Sequence, residues 1–184
     1  MRRLSIIFLL LTTLAARAAD RAPEDVLHEF YSWVISDQKK QSSSLPSIDE
    51  RNKLATIVSP HLIKLFVDAS KAEQRCFASV EGTTDKPYFF EADIFTGSWE
   101  VASEVAYGKI NLMKGKATVE VSHVAINSKF PKADRNRVLI WRNSVHLRNR
   151  GGVWLIYDLR YDDGTTLSGR ISEYLYKSKK WCRG

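Results

Sequence analysis

The apolar positions of this chain change their period near residue 100, dividing it into a helical part and a sheet part. Val26, Leu27, Phe30, Trp33 and Val34 recur at helical spacing and predict a helix from Pro23 to about Ser36. Pro23 suits its first turn, and Glu24 and Asp25 favour the positive end of its dipole. A polar, serine-rich connection runs from Lys39 to Ser47. A short helix is predicted over Asp49–Val58. Ser59-Pro60 then starts another, with serine as cap and proline in the first helical position. That helix turns Leu62, Ile63, Phe66, Ala69 and Cys76 inward and runs past Arg75. Gly82 to Ser98 follows neither period. Its Tyr88-Phe89-Phe90 and Asp93-Ile94-Phe95 are too aromatic for a linker and read as a loop packed on the core.

From Trp99 onward the alternation is apolar–polar. It predicts strands over Val101–Leu112, Ala117–Asn127, Val138–Arg148 and Val153–Arg160. Lys114-Gly115 makes the first hairpin turn and Asn149-Arg150-Gly151-Gly152 the second. Pairing across the first sets Lys109 opposite Glu120 and Ile110 opposite Val119, with facing opposite charges in support. Thr166 to Lys177 forms a last helix with Leu167, Ile171, Tyr174 and Leu175 inward. Helices followed by a run of antiparallel strands make an α+β domain.

The first residues alter how the rest is read. Arg2 and Arg3 precede an apolar run from Leu4 to Leu14, and Ala16-Arg17-Ala18 is a small-x-small cleavage site. This is the layout of a secretory signal peptide over residues 1–18. The run is shorter than the roughly 20 apolar residues a membrane span needs. Residues 19–184 then form one domain, exported to the periplasm or beyond. Losing Arg2, Arg3 and Arg17 lowers the formal charge from +7 to +4. Much of the basicity is therefore targeting, and no nucleic-acid partner is expected. In an oxidising compartment the two cysteines, Cys76 and Cys182, are expected to form a structural disulfide. There is no C-x-x-C, and the four histidines (His28, His61, His123 and His146) are scattered, so neither redox chemistry nor a metal is expected. There is no phosphate loop, and no cofactor is expected.

Three stretches carry a resemblance. They are Phe30-Tyr31-Ser32-Trp33, Lys86-Pro87-Tyr88 through Asp93-Ile94-Phe95-Thr96, and Gly152-Val153-Trp154-Leu155-Ile156-Tyr157-Asp158. Together with the element order they resemble the nuclear transport factor 2-like superfamily, and within it a bacterial family of exported proteins of unknown function. The resemblance implies a cone in which a curved antiparallel sheet of about four strands wraps around N-terminal helices, with a short helix at the C-terminus. It implies no reaction, because that superfamily holds enzymes, binding modules and scaffolds alike.

Such a cone often keeps a pocket between sheet and helices, so polar residues on apolar strand faces are the informative ones. His123 shares a face with Val119, Val121 and Ala125. In the register above it faces Ala106 and lies diagonal to Glu104. Asn143 and Asp158 share a face with Val145, Leu147 and Ile156, and face each other if the second turn has four residues. His123, Glu104, Asn143 and Asp158 are therefore the candidate pocket residues. A histidine beside carboxylates suits proton transfer on a small apolar substrate. The same residues also suit ligand binding, or a structural hydrogen-bonded pair. Tyr88, Phe90 and Trp99 are candidate anchors for a partner. The expectation is an envelope binding module for a protein or a small apolar ligand, such as a periplasmic inhibitor or immunity-type protein. The alternatives are a small proton-transfer enzyme and a structural homodimer.

Overall fold

The computed structural model of the chain describes residues 21–38, 45–87, 90 and 93–182. The signal peptide and Tyr88 lie outside them. Three helices, α1 (Pro23–Gln38), α2 (Ile48–Leu54) and α3 (Pro60–Ser79), precede four strands. These are β1 (Glu104–Met113), β2 (Lys116–Ile126), β3 (Val138–Arg150) and β4 (Val153–Tyr161), and α4 (Leu167–Trp181) closes the chain. The strands form one open antiparallel sheet in the order β1-β2-β3-β4.

Local chemistry sets the helix ends. Ser47 and Glu50 form a capping box that starts α2: the Ser47 hydroxyl accepts from Glu50 N, and the Glu50 carboxylate accepts from Ser47 N. This helix stops at Leu54, earlier than the predicted Val58. The chain beyond it is drawn to the sheet instead: Val58 makes a parallel bridge to Ile156, and Ser59 N donates to Ile156 O. The edge of β4 is thereby partly covered. Ser59 caps α3 and Thr166 caps α4, each accepting from a backbone amide in the first turn.

One face of the sheet is covered by the helices, and the core lies between them. Val119, Val121 and Val145 point into it beside Leu147, Ile156 and Leu159. They meet Leu27, Phe30 and Tyr31 of α1, Leu62 and Phe66 of α3, and Ile171 of α4. Cys76 and Cys182 are joined, their Cα atoms 4.7 Å apart, so the end of α4 is tied to α3. A closed loop of this length is worth about 4–5 kcal/mol in the chain-entropy account.

Two details of the sheet depart from simple alternation. Between Tyr107 and Ile110 the β1–β2 register shifts by one residue, so Gly108 and Lys109 share Glu120 as their neighbour. Gly108 permits the bulge, because a Cβ there would lie 3.2 Å from the Glu120 carbonyl oxygen. The second hairpin turns on two residues rather than four. Gly151 and Gly152 both have positive φ, 61° and 89°, as a tight two-residue turn requires. A second bulge, at Tyr157, then separates the Leu147–Ile156 pair from the His146–Asp158 pair.

Candidate functional site

The bulges decide where the candidate residues go. β2 carries no extra residue, so His123 stays on the helix-covered face, fully buried between Val121 and Ala125. Its neighbours across the strands are Val105 and Trp141. The imidazole stacks on the Trp141 ring at 5.3 Å and meets the Tyr31 ring edge-on at the same centroid distance. Neither ring nitrogen has a hydrogen-bond partner among the described residues, nor has the Tyr31 hydroxyl. Burial pushes the imidazole pKa down to about 4, against a small opposing pull from Asp162, so the ring is neutral at neutral pH.

Glu104 does not join it. The β1 bulge places Val105, not Ala106, opposite His123, and turns Glu104 outward and exposed, opposite Val124. Asn143 and Asp158 do not face each other either. The two-residue turn and the Tyr157 bulge set Asn143 opposite Tyr161 and Asp158 opposite His146, on opposite faces of the sheet. The Asp158 carboxylate accepts from Ser168 N at 3.0 Å and from the Ser168 hydroxyl. A carboxylate there complements the N-terminus of α4. No His–carboxylate pair for proton transfer forms among the four candidates.

Asn143 has a defined structural task. Its Nδ2 donates to the carbonyl oxygens of Phe95 and Thr96 at 3.2 and 3.1 Å. Trp141 Nε1 donates to Thr96 O at 2.8 Å, and the Tyr161 hydroxyl donates to Ile94 O. These three side chains hold the 93–98 loop against the inner face. Within the loop, Asp93 Oδ1 accepts from Phe95 N and Thr96 N, a self-closed Asx turn. Gly97 has φ 72°, and a Cβ there would come 2.7 Å from the Tyr161 ring. Phe95 fills the space inside, its ring 5.0–5.6 Å from those of Trp33, Phe30 and Phe66. Sequence reasoning identified the loop as packed but missed its clasp. The signal was there in Asp93-Ile94-Phe95-Thr96-Gly97, a turn former and a glycine bracketing two apolar residues.

The partner-anchor candidates divide similarly. Phe90 packs on Tyr174, ring centroids 4.3 Å apart, and belongs to the edge of the core. Trp99 is 73% exposed.

The other face of β1, β2 and β3 is open: its outward residues are all partly or fully exposed. At one end Val124 pairs with Ile140 and Ile126 with Val138, an outward β-branched quartet. At the other end Lys116 pairs with Arg148, and Thr118 with His146. With Tyr157, Asp158, Arg160 and Thr166 these line a hollow of about 480 Å³. The inward polar residues His123 and Asn143 are not part of this face. The signal for it was the outward parity of Lys116 and Arg148 on β2 and β3. Compared with known protein families, curated proteins and solved structures, the chain shows no match.

Proposed function

We propose that this protein is an exported binding module of the cell envelope, cleaved near Ala18, that holds a protein partner on the outer face of its sheet. The observation that carries this reading is the contrast between the faces. The inner face is packed by the chain's own helices and by the clasped 93–98 loop. The outer face offers Val124, Ile126, Val138 and Ile140 as one apolar patch on a β-sheet, with Ile140 63% exposed. The Cys76–Cys182 disulfide suits an oxidising compartment, and among the described residues no helix is long and apolar enough to cross a membrane. The helix-then-sheet order agrees with the nuclear transport factor 2-like cone that the sequence resembles, a scaffold adaptable to this use. In its most concrete form the module is an inhibitor or immunity-type protein that occludes a lytic or toxic enzyme.

The test is capture from envelope extracts with the mature chain and with an Ile140→Glu/Val138→Glu variant whose circular dichroism and disulfide are unchanged. The wild type should retain a stoichiometric partner, and the variant should hold it about tenfold more weakly or worse. No stoichiometric partner, or one held equally by both chains, overturns the reading. A wild type that runs as a dimer in light scattering, and a variant that runs as a monomer, would give the patch to a second copy of this chain instead.

A further inference from the structure

Alternation along three neighbouring strands gathers cations at the end of the outer face away from the apolar patch. Lys116 of β2 and Arg148 of β3 are direct cross-strand partners. Like charges in that position are unfavourable for a sheet. The bulge at Tyr157 brings β4 into the same arrangement, because it restores Arg160 to the outward side opposite Ser144. All three cations line the one hollow of about 480 Å³. Among the described residues, no carboxylate forms an ion pair with any of them. The one carboxylate lining the hollow, Asp158, is committed to Ser168 at the start of α4.

The cations are also held in place. The Arg148 guanidinium lies over the Tyr157 ring, its carbon 3.5 Å from the centroid. Stacking fixes the plane of the fork and leaves its N–H edge for a ligand. Thr118 Oγ1 lies 3.5 Å from His146 Nδ1, so a hydroxyl and an imidazole add further polar groups to the wall. An uncompensated like-charge pair, a pre-oriented guanidinium and a third arginine make a recess suited to a compact, doubly charged oxyanion.

We propose that this hollow binds a phosphate monoester group or free phosphate, held by Lys116, Arg148 and Arg160. The anion relieves the Lys116–Arg148 repulsion and takes the guanidinium fork in bidentate fashion. The same chemistry could be presented by a dissolved phosphate or by the headgroup of an acidic lipid at the membrane surface.

The experiment uses the mature, disulfide-bonded chain with two probes. One is inorganic phosphate in isothermal titration. The other is sedimentation with phosphatidylcholine vesicles, with and without phosphatidic acid. Saturable phosphate binding assigns the site to a dissolved anion. Binding confined to vesicles that contain phosphatidic acid assigns it to a headgroup. In either case Lys116→Ala/Arg148→Ala should weaken binding about tenfold or more. The charge-matched Lys129→Ala/Lys132→Ala, on the exposed loop before β3, should stay within about threefold of wild type. The Lys116→Ala single variant, at an exposed position, serves if the double variant misfolds. Absence of saturable binding to both probes overturns the proposal, as does equal weakening by the two charge-matched pairs.

Discussion

The two faces of the sheet formed by β2, β3 and β4 use polar residues in opposite ways. On the inner face Asn143, Trp141 and Tyr161 all donate to carbonyl oxygens of residues 94–96. Polarity there is internal joinery. It satisfies the backbone of a loop that would otherwise bring unpaired carbonyls against an apolar core. On the outer face Lys116, Arg148 and Arg160 form no ion pair among the described residues. Glu120 and Arg142 approach to only 3.7 Å while both remain about three-fifths exposed. A buried polar group thus reports how the fold is closed, whereas an open, unneutralised one reports what the surface can still bind. His123, the Tyr31 hydroxyl and the Trp33 indole N–H are the exceptions on the inner side, buried with no hydrogen-bond partner among the described residues.

The sharpest way to break this contrast is to remove what the joinery holds. Phe95→Ala should cost about 3–5 kcal/mol, because the ring fills space among Phe30, Trp33 and Phe66 that the surroundings only partly refill. Urea unfolding would measure it. A cost under about 1 kcal/mol would mean that the loop is a surface appendage and that the inner face is available to ligands.

His123 gives the next largest effect, and one with a sign in pH. Its folded pKa of about 4 lies below the ordinary value of 6.5. Between those two pH values the unfolded chain binds the proton more readily than the folded one. Stability is therefore fully present above about pH 6.5 and falls as pH drops toward 4, by about 3 kcal/mol in all. In His123→Phe this share of the decline should vanish, leaving only the slope contributed by other groups. Unfolding free energies measured at intervals from pH 7 to pH 4 on both chains would decide it. Equal slopes would show that the imidazole is not held neutral by its surroundings, and would return it to consideration as a working acid or base.

The sequence made much of this legible, and the side chains it put on the wrong face share one cause. The helical period marked α1, α3 and α4 through Leu27, Phe66 and Ile171, and the alternation marked four strands in the right order. The shared oxidising context of Cys76 and Cys182 pointed to their bond. Strand parity carried His123 and Asn143 to the inner face, since the β2–β3 pairing runs from Lys116–Arg148 to Ile126–Val138 without a bulge. It misplaced Glu104 and Asp158, each beyond a bulge in its own hairpin. One inserted residue reverses every side chain that follows it, and the Tyr157 bulge has no strong local signature, although Gly151-Gly152 was a readable signal for a two-residue turn. Gly108 was a usable hint, being a glycine inside an otherwise regular strand. The clasp on the 93–98 loop was harder to foresee, because it joins Asn143 and Trp141 to a loop 45–48 residues earlier in the chain.

The finest test compares single polar residues on the two faces of β3. Asn143→Ala removes both donations to the loop. Thr96 O keeps the Trp141 indole, but the Phe95 carbonyl loses the donor supplied by Nδ2. The expected cost is about 1–3 kcal/mol, the penalty for leaving a buried acceptor unpaired. Limited proteolysis should open the 93–98 segment in this variant before it cuts the sheet. Arg142 is the next residue along the strand and points outward, where its approach to Glu120 is long and solvated. Arg142→Ala should change stability by no more than about 0.5 kcal/mol and leave the proteolytic pattern untouched. The two substitutions lie one residue apart, so a shared strand defect would affect both, whereas an effect limited to Asn143 traces to the clasp. If Arg142→Ala costs as much as Asn143→Ala, the outer face is supporting the fold, and its charges are not free to bind anything else.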